Sequence, residues 1–104
     1  MISVCLSRNQ ARIRLTDERW AHIVEEHCEM AGLREEVLET VSAAERVLAG
    51  GAGELLAVRH VEPGKAIVVV YREMAPDDGF IITAFLTRRL ANLDRRQQIW
   101  PPRT

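Results

Sequence analysis

The chain has 104 residues, 47% of them hydrophobic, and a formal net charge of −1. These values describe one folded domain with room for a single hydrophobic core, and they exclude a disordered chain and an overall polycation. No apolar run approaches the roughly 20 residues of a membrane span, and the apolar stretch at positions 1–6 is too short for a secretion signal, so the expected compartment is the cytoplasm with no membrane contact.

Residues 2–6 and 11–15 read as two short strands; in the second, Ala11, Ile13 and Leu15 alternate with Arg12 and Arg14, the period of a half-exposed strand. Thr16 is a good N-cap, and Asp17 and Glu18 in the first turn favour the helix dipole, so a helix is expected from there to about residue 30, closed by Gly32. A second helix over 33–43 carries an apolar stripe of Leu33, Val37, Leu38 and Val41. Residues 46–49 read as extended, and Gly50-Gly51-Ala52-Gly53 as a turn. Strands at 54–61, 66–72 and 80–87 are separated by short turns, which imply antiparallel hairpins. A last helix is expected over about 88–98, ended by Pro101-Pro102. The expected fold is a single α+β domain over 1–104. Two N-terminal helices (16–45) pack on an antiparallel sheet of about four to five strands (46–87 with the strands of 1–15), and a short C-terminal helix lies in the Arg-rich segment 88–104.

Charge is unevenly spread. Residues 16–45 hold nine acids against two arginines, whereas residues 87–104 hold five arginines (Arg88, Arg89, Arg95, Arg96, Arg103) against one acid. The basic tail fits an anionic partner, either RNA or an acidic protein. Cys5 and Cys28 form no CxxC unit and read as small apolar side chains in or near the core. No P-loop, GxGxxG, GxSxG or HExxH is present, so no cofactor or metal is expected.

Two of the three histidines, His22 and His27, fall on the first helix, and imidazole exchanges protons near neutral pH. At about 100° per residue, Trp20, Ile23, Val24 and His27 share a stripe that faces the sheet, while His22 lies about 140° away. Their spacing is wrong for a helical metal pair. His27 fits either a hydrogen-bonded core residue or a proton carrier; His60, at a strand end, reads as a turn residue. On the last strand Ile82, Ala84 and Leu86 alternate with Ile81, Thr83, Phe85 and Thr87, so one face is apolar and the other holds two hydroxyls. Arg59 shares that second face if the register allows. Tyr71 and Arg72 point to opposite faces, so at most one of them belongs there.

The string from Leu15 through Trp20-Ala21-His22-Ile23 and His27 to Met30, with the later Ile82-Thr83-Ala84 strand, resembles small prokaryotic domains grouped with barnase, the EndoU nucleases, colicins E5 and D and the RelE toxins, in their phage- and toxin-associated branch. The resemblance covers roughly residues 13–87. It implies metal-independent RNA cleavage by attack of a ribose 2′-hydroxyl, in a toxin whose partner is an antitoxin protein. Carried over by position, it implies catalytic roles for His27, His22, Thr83 and Arg59, with Thr87, Arg88 and Arg89 contacting substrate. A non-catalytic RNA- or protein-binding module of the same fold is the alternative.

Overall fold

A computed structural model of the chain describes residues 1–102. Arg103, counted above in the basic tail, and Thr104 lie outside the described residues. The elements are β1 (Ile2–Leu6), β2 (Arg12–Thr16), α1 (Asp17–Glu26), a 3-10 turn (Cys28–Met30), α2 (Arg34–Ser42), β3 (Arg46–Ala49), β4 (Leu55–Glu62), β5 (Lys65–Ala75), β6 (Asp78–Thr87), α3 (Leu90–Asp94) and β7 (Gln98–Trp100). The described strands form one seven-stranded sheet in the order β1-β2-β6-β5-β4-β3-β7.

The class is α+β, but the expected sheet of four to five antiparallel strands is corrected to seven strands in a mixed sheet. β2 runs parallel to β6, with Arg12, Ile13 and Arg14 opposite Asp78, Gly79 and Phe80. Turn lengths report only on strands adjacent in sequence, and β2 and β6 are far apart in the chain. The expected C-terminal helix shrinks to α3. The chain leaves it after Asp94, and Gln98–Trp100 pairs with β3, an arrangement begun by the Ala49 N–H donating to the Gln97 carbonyl at 2.8 Å.

The helices are divided between the two faces of the sheet. On one, Ile23, Met30, Val37 and Val41 pack against Ile13, Leu15, Val47, Ala57, Ile67, Val69, Tyr71, Ile81 and Ala84. Each large aliphatic side chain buried there contributes about 1.5–3 kcal/mol. On the other, Leu93 with Leu90 covers Leu48, Leu56, Val58, Ala66 and Val68. α3 is too short to cover that whole face, and the part formed by β6, β2 and β1 stays open.

Three local features shape the open face. β6 carries a bulge: Thr83 lies opposite Val70 and Ile81 opposite Tyr71, leaving Ile82 without a partner. Ile81 therefore turns into the core, where strict alternation expects Ile82. At Gly79 the strands are tightly packed, because an added Cβ would collide with the Arg72 carbonyl oxygen and lie 2.9 Å from Ile13 Cδ1. Third, the sheet is strongly curled, and its two ends meet: the Arg8 guanidinium stacks on the Trp100 ring at 4.2 Å and donates to the Ala44 carbonyl at 2.8 and 3.0 Å.

The cysteines differ. Cys5 is half-buried, and burial pushes its thiol up to about 11, against a smaller opposing effect of a hydrogen bond with Ser42. Cys28 is exposed, which corrects its expected place in the core, and both are free thiols. At pH 8 a maleimide should therefore label Cys28 readily and Cys5 only after unfolding, as mass spectrometry of the native and denatured protein would read. Equal labelling of both in the native state would contradict this packing.

Candidate functional site

The site is built around the C-terminal half of β6. Beyond the bulge, Thr83, Phe85 and Thr87 point to the open face while Ala84 and Leu86 pack toward α1 and α2. Phe85 and Thr87 line a cleft of about 270 Å³ with Leu56 of β4 and with Arg89, Asn92, Leu93 and Arg96 around α3. The Thr87 hydroxyl accepts the Arg89 N–H at 3.0 Å, fixing the turn into α3 and leaving its own proton free to donate. No hydrogen bond engages the Thr83 hydroxyl among the described residues.

His27 does not line this cleft but touches Phe85, which does. α1 ends at Glu26 and does not continue to residue 30. At His27 the backbone leaves helical geometry (φ −133°, ψ 75°), though its N–H still donates to the Ile23 carbonyl at 2.7 Å. The 3-10 turn that follows drives Met30 fully into the core, which holds the His27 backbone in place. The imidazole lies against Phe85, ring centroids 5.9 Å apart and planes at 38°, with a third of the side chain exposed (32%). Its nearest carboxylate is Glu29, at 3.7 Å from Nδ1. His22 is more exposed (56%) and faces Glu25 at 3.9 Å, so the structure does not bring it into the contact that His27 makes with Phe85.

Arg59 takes no part in this cleft. Register places it opposite Ile67, which packs on the helix-facing side, and its Nε donates to Thr40 Oγ1 at 3.2 Å and its Nη2 to the Glu36 carbonyl at 3.3 Å. It ties β4 to α2 on the opposite side of the sheet from Thr83. Arg59→Ala is expected to lower stability by about 1–3 kcal/mol, the net worth of two ordinary hydrogen bonds, while folded protein keeps its full activity. Urea denaturation checks the first part and a rate per folded molecule the second; a stable but inactive variant would return Arg59 to the site. Arg88 turns toward Glu62 at 3.5 Å. His60 is not the turn residue expected from the sequence: it lies within β4, opposite Ala66, and Glu45 accepts its N–H and faces its Nδ1 at 2.9 Å; that backbone hydrogen bond, above all, lowers the Glu45 pKa.

The cation that the sequence left undecided is Arg72. It lies on the open face between Phe80 in register and the Gly50–Gly53 loop, and its Nη2 donates to the Ala52 carbonyl at 2.9 Å. Tyr71, its neighbour, is buried, and burial raises its phenol pKa. The alternation of Val70, Tyr71 and Arg72 alone could not say which face was open. A larger cavity, about 530 Å³, lies at the seam between β1 and β7, lined by Cys5, Ser7, Arg8 and Trp100 among others; no histidine lines it.

Among the described residues no group of three or more His, Cys, Asp or Glu is placed to hold a metal ion, and no helix is long and apolar enough to cross a membrane. Compared with family models, with curated proteins and with solved structures, the chain matches none of them.

Proposed function

We propose that this chain is a metal-independent endoribonuclease, a toxin-type enzyme similar in chemistry to the barnase and RelE group, working in the cleft beside β6. The observation that carries the reading is the packing of His27 on Phe85, which sets an imidazole at the rim of a cleft supplied with hydroxyl and guanidinium donors.

In this reading His27 takes the proton from a ribose 2′-hydroxyl. O2′ bonds to the adjacent phosphorus, the bond from phosphorus to O5′ breaks, and the imidazolium returns the proton to O5′. The products are a 2′,3′-cyclic phosphate and a free 5′-hydroxyl. Thr83, Thr87 and Arg89 donate to the phosphoryl oxygens as charge develops on them. Phe85 offers its ring face to a base, the common mode of single-stranded RNA recognition.

The test is incubation of purified protein with single-stranded RNA in excess chelator. Cleavage that leaves cyclic phosphate ends, and that stops when a 2′-deoxynucleotide replaces the nucleotide 5′ of the cut, is the expected result. Salt-sensitive RNA binding with no cleavage would replace the enzyme by a binding module. Absence of both would remove RNA as the partner and leave an acidic protein.

A further inference from the structure

The glycine-rich turn Gly50-Gly51-Ala52-Gly53 is unexplained by the site above, yet two arginines converge on it. Arg72 donates to the Ala52 carbonyl at 2.9 Å and Arg96 to the Ala49 carbonyl at 3.3 Å. Among the described residues neither guanidinium forms an ion pair. Each therefore commits one edge of its donor fork to a carbonyl and leaves the remainder unused. Gly53 makes the approach possible: at φ 91° it takes a backbone conformation that disfavours a side chain, and a Cβ there would sit 3.0 Å from Arg72 Nη1.

The turn also walls a cleft of about 250 Å³ whose other sides include Val70, Phe85 and Arg96. Leu56, Phe85 and Arg96 line the first cleft as well, so the two hollows share a wall, while Arg72 lies outside both linings, on the Ala52 carbonyl of the turn. Glu54 is the only acid lining this second part. Its carboxylate accepts the Ala52 N–H at 2.8 Å, and its pKa is held down first by that hydrogen bond and further by the charges of Arg72 and Arg96.

We propose that Arg72 and Arg96 form a phosphate-binding subsite, which takes a phosphodiester of the nucleic-acid strand next to the one seated beside Thr83 and Phe85. The proposal rests on the RNA reading for its ligand but not on cleavage. The unspent donor edges suit non-bridging phosphate oxygens, and the glycine turn lets a strand approach the backbone closely. Glu54 opposes the bound anion from inside the subsite and sets an upper limit on its affinity.

The probe is a short 2′-O-methyl oligoribonucleotide, which binds but offers no nucleophile, measured by fluorescence anisotropy over a range of salt. Arg72→Gln and Arg96→Gln should each weaken binding about tenfold and reduce the salt slope by about 0.7, one phosphate contact on a single strand. Arg72→Lys and Arg96→Lys should restore the slope. Glu54→Gln, which keeps the acceptor for the Ala52 N–H and removes only the charge, should bind more tightly than the wild type. Because both arginines also hold the turn, melting curves accompany every variant; if the Gln forms fail to fold, the Lys and Glu54→Gln forms decide. Unchanged affinity in the folded arginine variants, or no tightening in Glu54→Gln, overturns the subsite. Failure of the ribonuclease reading looks different: the oligonucleotide binds as described while unmodified RNA stays intact.

Discussion

Alanine at His27 is expected to lower RNA cleavage about 10²–10⁴-fold, the usual worth of a positioned general acid–base group, whereas alanine at His22 leaves the rate near that of the wild type. The asymmetry follows from placement. His27 sits where the helix has ended, pinned between its own hydrogen bond to Ile23 and the buried Met30, and its ring rests on Phe85. His22 is more exposed on α1 and faces Glu25. Single-turnover rates in chelator, with melting temperatures to confirm folding, make the comparison. Equal losses from the two substitutions would mean that the catalytic imidazole is not selected by contact with the β6 cleft, and an active His27→Ala protein would remove His27 from the chemistry.

The second large effect belongs to stability. Gly79→Ala introduces a methyl group where the β5 backbone, at the Arg72 carbonyl, and the Ile13 side chain already occupy the space. Overpacking costs about 1–3 kcal/mol, and more where the obstacle is backbone that cannot rotate away; against a total stability of about 5–15 kcal/mol, this is a substantial share. The change also strikes the junction that makes the sheet mixed, because Gly79 pairs with Ile13 on one side and Glu73 on the other. Gly51→Ala is the control, with nothing within 4 Å of the new methyl. Urea midpoints should separate the two variants widely. Similar midpoints would mean that β2 and β6 do not approach as closely as described.

Sequence pattern revealed some of this molecule and concealed specific parts of it. Thr16 as N-cap was readable from residue type, and its hydroxyl does accept the Arg19 N–H at 3.0 Å. The alternation in β2 was readable because Ile13 and Leu15 are buried and Arg12 and Arg14 exposed. The faces of β6 were not. One bulged residue, Ile82, shifts the phase of the strand, and isoleucine at both 81 and 82 gives alternation no basis for choosing which is extra. The role of Arg59 was hidden for a related reason: a strand arginine looks the same whether it reaches a substrate or a helix carbonyl, and only register decides. Arg72 and Arg96 were missed as a pair because nothing in their spacing shows that α3 and the glycine turn meet. The helix histidines were found, but the wheel assumed a helix that continues past residue 26, and it is the break at His27 that sets that ring on Phe85.

The curl of the sheet has a bearing on self-association. β1 reads Ile-Ser-Val-Cys-Leu, an uncharged edge strand with no proline, and its outward residues Ile2, Val4 and Leu6 are exposed. Flat, apolar and unpaired edges of that kind recruit other chains into growing sheets, and proteins commonly blunt them with lysine, proline or a bulge. None of these is present on β1. Protection comes instead from curvature: the chain just past β1 is drawn against the opposite end of its own sheet, where Arg8 covers Trp100 and is anchored to Ala44. A neighbouring strand trying to extend the sheet along β1 would meet this clasp before it could lie flat. The Arg8–Trp100 contact is thus expected to hinder strand addition along β1, at a distance from the residues it covers.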